Sequence, residues 1–229
     1  MSDRLMRESA QEVRKLWQTY SRSFKDNPLL SHDLKIGVAG SFTVDNLIPY
    51  IGGCLLDKGF KAPDIVAGPY NQLHQICLDH QAVLECKFDF DALILLWRIE
   101  DLSSDRLEAA LAQDEKAFEQ IAQDIRELAQ SIAGLRGRFG GTIVVSTPPY
   151  PSLGSFDVRD LGQVERGRAL YQHLLEIWMK AIEKVKGVRT FDLAGLLMSA
   201  GFENAHDTRK WYLYRQPYSE AFGFQIGNA

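Results

Sequence analysis

Leu34-Lys-Ile-Gly-Val-Ala-Gly-Ser-Phe-Thr-Val-Asp45 is the stretch on which the fold turns. Its apolar part, Ile36 to Ala39, reads as a short strand that breaks at Gly40 and delivers Ser41 to the start of a helix. Glycine reaches backbone angles closed to other residues, so the turn at Gly40 can be sharp. Ser41 or Thr43 would cap a helix opening near Val44, since a hydroxyl there accepts from the free first-turn N–H groups. In open α/β sheets this junction, at the carboxyl end of a central strand, is where ligands are held. Ser41 therefore carries two readings, a helix cap and a functional hydroxyl.

Working outward, Asp3 to Phe24 sets Leu5, Val13, Leu16, Trp17 and Tyr20 among charges, the pattern of an amphipathic helix. A polar loop containing Pro28 leads to Asp33. The helix expected from Val44 to Lys58 carries Leu47, Ile48, Ile51, Leu55 and Leu56, and Pro49 falls early enough to be tolerated. Pro63 to Pro69 reads as a second strand and Tyr70 to Leu78 as a helix. Asp91 to Trp97 is the most continuously apolar run, as expected of a strand buried on both faces. Ser103 to Leu135 reads as helix with a break near Gln113, Gly140 to Ser146 as a fourth strand, and Leu161 to Lys186 as a long helix. A fifth strand spans Gly187 to Asp192, and a short helix follows from Leu193 to Ala200. Asn204 to Tyr212 reads as a loop, and Ser219 suits the cap of a last helix.

Five strand–helix alternations imply crossover connections and helices on both faces of a mainly parallel sheet. The expected architecture is a three-layer α/β/α, doubly wound, five-stranded sheet in the flavodoxin-like order 2-1-3-4-5. One domain over residues 1–229 is expected, with residues 1–33 packed on it. The chain has 229 residues, 45% of them hydrophobic, enough for one sizeable core. A net charge of −4 speaks against a nucleic-acid surface. Three cysteines without metal spacing (Cys54, Cys77, Cys86) suit reduced thiols in a cytoplasmic protein. The N-terminus lacks an apolar leader and no run approaches a membrane span, so no membrane role is expected. No phosphate loop, dinucleotide fingerprint or zinc spacing is present, and neither a cofactor nor a metal is expected.

In such a sheet the loops after the strands converge on one edge. They bring Gly40, Ser41 and Phe42, the Pro69-Tyr70-Asn71 turn, the Arg98, Glu100 and Asp101 cluster, Thr147, and His206 with Asp207. A serine nucleophile needs a base, a group to orient it, and donors for an oxyanion. His206 is the most attractive base among the five histidines, with Asp207 beside it to orient it. Backbone N–H groups near Ser41 and the Asn71 amide would form the oxyanion hole, although Asn71 equally suits a helix cap. Arg98 and Asp101 have their own plainer reading, an exposed ion pair. Two function classes follow: an esterase or acyltransferase acting on an ester or thioester, and a module that binds the same group without cleaving it.

Gly40 to Tyr50, Gly68 to Gln72, Leu96 to Asp101, Val145 to Pro149 and Asp207 to Ser219, in that order, resemble the N-terminal region of FkbH-like proteins. The resemblance implies an SGNH/GDSL-hydrolase-like domain that precedes a HAD-type phosphatase-like domain, the latter loading a glyceryl unit onto an acyl carrier protein. Ser41 falls where SGNH enzymes keep their nucleophile, and Asp207 near their terminal Asp-x-x-His block. Two departures stand out. The third residue after Asp207 is Lys210 rather than histidine, so His206 would have to replace the usual base. The HAD signature Asp-x-Asp-x-Thr/Val is missing, so glyceryl transfer is not a property of this stretch. The partners implied are an acyl carrier protein and a HAD-type domain.

Overall fold

The structure is a computed structural model describing residues 3–25, 33–86, 89–151 and 161–229. Five parallel strands form one sheet in the order β2-β1-β3-β4-β5: β1 Leu34–Gly40, β2 Pro63–Ala67, β3 Ala92–Leu96, β4 Thr142–Ser146 and β5 Val188–Phe191. The central strands are the most apolar, and Leu93, Leu95, Leu96, Ile143 and Val145 are all buried. Burial on both faces is what covering the sheet with crossover helices produces.

One face carries α3 (Leu73–Leu78), α4 (His80–Val83), α5 (Ile99–Leu111), α6 (Glu115–Arg136) and α7 (Leu161–Glu183). Trp97 and Trp178 meet there, with ring centres 4.6 Å apart. The other face carries α2 (Ile48–Asp57), α8 (Leu193–Ala200), α9 (Phe202–Ala205) and α11 (Glu220–Asn228). Outside α2 lies α1 (Asp3–Lys25), seated where two glycines remove the steric barrier. A Cβ at Gly52 would meet the Trp17 ring at 2.1 Å, and one at Gly53 would meet Val13 at 2.3 Å. The remaining helix, α10 (Thr208–Tyr214), has no fully buried residue, and its Trp211 packs half-buried against the core.

Four local expectations need correction. The helix after β1 starts at Ile48, with Leu47 at its N-cap and no side chain capping it, so neither Ser41 nor Thr43 is a cap. Gly40 is required for space rather than for an unusual φ: a Cβ there would press on Val44 at 2.7 Å and on the Phe42 carbonyl at 2.9 Å. Asn71 does not cap α3 either, because Gln72 holds the N-cap position and makes no side-chain cap bond. The segment Asn204–Tyr212, expected as a loop, contains the end of α9 and most of α10. The residues between 26 and 32, including the expected Pro28 loop, lie outside the described residues.

Candidate functional site

β1 and β3 pair in register from Ile36 opposite Ala92 to Gly40 opposite Leu96, and the Ser41 N–H donates to the Leu96 carbonyl at 3.0 Å. This register sets Ser41 against the start of α5, where Arg98 is the N-cap residue. The Ser41 hydroxyl donates to Asp101 Oδ2 at 2.8 Å and accepts from the Arg98 N–H at 3.0 Å. Arg98 holds the same carboxylate with two guanidinium nitrogens, Nε at 2.8 Å and Nη2 at 2.5 Å, and lies 3.5 Å from Glu100. Two parallel N–H bonds to one carboxylate make a fixed, charge-assisted fork.

The network is closed to water: Ser41 is 0% and Arg98 2% exposed. The Arg98 guanidinium lies 4.0 Å from the centre of the Trp211 ring and 5.7 Å from that of Phe42. Burial disfavours its charge, but the bonds to Asp101 and the charges of Glu100 and Asp101 outweigh that cost and raise its pKa. The pair expected to be exposed and weak is therefore buried. An aromatic side chain arriving from far along the chain desolvates it, which nothing near residue 98 signals.

His206 and Asp207 reach the same region and part company there. Both are in extended backbone, where successive side chains point to opposite sides. Asp207 caps α10 by accepting from the Lys210 N–H at 2.9 Å, and it lies 3.6 Å from the Lys210 ammonium. The His206 ring stacks on Phe202 at 4.7 Å, and neither ring nitrogen has a hydrogen-bond partner among the described residues. Burial, aided by the charge of Arg98, lowers its pKa to about 4, so the ring is neutral. An isolated antiparallel bridge ties His206 to Tyr218, whose buried hydroxyl also lacks a partner among the described residues. Ser41, His206 and Asp207 are thus not joined by hydrogen bonds.

The other expected residues divide. Gly40 and Phe42 flank the Ser41 network, and Phe42 packs edge-on against Tyr218 at 5.1 Å. Asn71 adopts a left-handed conformation (φ 54°), with its N–H on the Gly40 carbonyl at 3.2 Å, and the residue is exposed. Thr147 belongs to a separate network, donating to Asp192 at 3.0 Å and accepting from the Ala194 N–H at 3.1 Å. Trp211 and Tyr218 are the residues that sequence reasoning missed. The aromatic Trp-Tyr-Leu-Tyr run, unusual for a loop, was the available signal. Among the described residues no cluster of three or more metal-ligating side chains occurs, and no helix is long and apolar enough to cross a membrane.

No protein-family model matches the chain, and no curated protein matches it. Among solved structures it is similar to the N-terminal part of the protein BF1531 from Bacteroides fragilis, described as containing a phosphatase domain complexed with Mg. The TM-score is 0.68 at 14% identity, over 96% of this chain and 54% of that one, so the chain spans about half the length of that relative. A second structure, LAE5, an alpha/beta hydrolase enzyme from the metagenome of Lake Arreo, Spain, aligns at a TM-score of 0.49 and 12% identity over 87% of this chain and 93% of that one. At these identities the first likeness establishes a shared α/β fold.

Proposed function

We propose that this chain is a non-catalytic α/β/α module that binds or docks an acyl or glyceryl group carried by a partner protein, beside a HAD-type phosphatase-like domain. One observation carries the reading against the esterase alternative. The Ser41 hydroxyl is wholly buried, spends its proton on a carboxylate already held by Arg98, and has no imidazole on it among the described residues. A nucleophile needs a base within hydrogen-bond reach and room for the substrate carbonyl. The likeness to half of a chain whose description includes a phosphatase domain supports the second part. The resemblance to FkbH-like proteins supports the carried group.

The test is hydrolysis of short p-nitrophenyl esters by the native protein and by Ser41→Ala. Both are expected to match the buffer rate. A native rate that disappears in Ser41→Ala would overturn the reading and favour a serine hydrolase. That second reading has its own support in His206, a neutral ring beside the same network whose nitrogens have no hydrogen-bond partner among the described residues. Binding of a glyceryl thioester of pantetheine, followed by calorimetry, is the positive arm.

A further inference from the structure

We propose that α10 is a lid whose Trp211 seals the Ser41–Asp101–Arg98 network, and that access to the network is gained by lifting this one helix. The inference rests on the reading of this strand edge as a binding site and adds how the site opens. Every other helix longer than six residues that the structure describes in full has several fully buried residues, whereas α10 has none and touches the core through the half-buried Trp211. Tyr212, Leu213 and Tyr214 are exposed, and Trp211 is the residue that reaches inward.

The helix is held at its ends. Asp207 caps its start, and the Asp207 N–H donates to the Pro217 carbonyl at 2.8 Å. Its far end closes on Arg215, which adopts a left-handed conformation (φ 56°, ψ 34°) without being glycine. Such a residue is strained, and strain of this kind persists where the surroundings impose it. Here the surroundings are the Thr43 N–H, which donates to the Arg215 carbonyl at 2.9 Å, and the Trp211 ring, 5.1 Å from the Arg215 guanidinium. A short segment with no fully buried residue, fixed at two ends and pinned in the middle by one half-buried ring, is the kind that opens locally while the core stays folded. The Trp211 ring covers the Arg98 guanidinium, whose fork on Asp101 is joined in turn to the buried Ser41 hydroxyl.

Thiol labelling of Ser41→Cys, in a Cys86→Ser background, reads access directly. Cys54 and Cys77 are buried, and burial pushes both thiols up, Cys77 to about 12, so they stay silent in the folded protein. With Trp211 in place, labelling by iodoacetamide should be slow and insensitive to low urea, the mark of local opening. Adding Trp211→Ala should accelerate it by roughly tenfold or more, the range that local opening equilibria span. Trp211→Phe, which keeps a ring over Arg98, should stay near the slow rate. In the native Ser41 background, hydrogen exchange at the Arg98 amide should follow the same order, because that N–H donates to Ser41 Oγ.

Equal labelling and exchange in all three backgrounds would overturn the proposal. So would acceleration that appears only with a matching rise in exchange throughout the β1 and β3 amides, which would make Trp211 part of the global fold. Neither readout depends on ester cleavage or ligand binding. The proposed function can therefore fail while the lid stands, and the reverse.

Discussion

Two strand tips in this sheet present the same pair of groups and use them differently. At the end of β1 the Ser41 hydroxyl donates to Asp101 and accepts a backbone N–H from Arg98. At the end of β4 the Thr147 hydroxyl donates to Asp192 and accepts a backbone N–H from Ala194. Asp192 then caps α8 through the Gly195 N–H at 3.0 Å and remains exposed, an arrangement that orders a turn. Asp101 instead holds a buried guanidinium roofed by Trp211. A hydroxyl–carboxylate pair at a strand end is thus no mark of catalysis. What distinguishes the β1 tip is a buried charge and an aromatic cover, where the β4 tip has a solvated carboxylate.

Removing that distinction should produce the largest effect. Arg98→Ala strands the Asp101 carboxylate in the interior, and breaking a buried ion pair in this way costs about 3–5 kcal/mol, readable by urea denaturation. Replacing both partners, Arg98→Met with Asp101→Leu, should cost less than Arg98→Ala alone, because the Asp101 carboxylate is no longer left buried without its guanidinium. A double variant worse than the single one would mean that the fork holds the α5 start in place by more than charge. Next in size is Ser41→Ala, which leaves the buried Arg98 N–H without its acceptor at a cost of about 1–3 kcal/mol. At the β4 tip Asp192→Ala should cost only about 1 kcal/mol, the usual value of a helix cap. If the two tips proved equally sensitive, the contrast between them would be wrong.

The smallest effect is one of pH. His206 is neutral in the folded protein, with its pKa lowered from 6.5 to about 4 by burial and by the charge of Arg98. The unfolded chain therefore binds a proton that the folded one refuses as pH falls from about 6.5 toward 4, and stability declines over that window. His206→Leu should flatten the melting temperature against pH between those values relative to the native protein. An unchanged slope would place the acid sensitivity elsewhere.

Much of the layout was legible because it follows from short-range pattern. The apolar run Asp91 to Trp97, the strand ending at Gly40 and the alternation with amphipathic helices specify a parallel sheet whose strand tips share an edge. The site was legible in its members and not in its wiring. Ser41, Arg98, Asp101 and His206 do come to one region, yet the neighbour expected to orient His206 turns away, since consecutive residues in extended backbone face opposite sides. Arg98 and Asp101 looked like a solvated pair because the residue that buries them, Trp211, stands in a different segment. The seven-residue α10 was not legible because a helix that turns only one half-buried ring inward has no apolar period to display.

The amino-acid order by itself determined the α/β class, the buried central strands and the placing of polar groups at strand ends, because periodicity and turn chemistry act over a few residues. Only the tertiary structure decided that Ser41 faces a carboxylate rather than an imidazole, and that Arg98 lies beneath Trp211. Those contacts depend on strand register and on the meeting of distant segments. Burial and charge pairing at that range are collective properties of the packed chain.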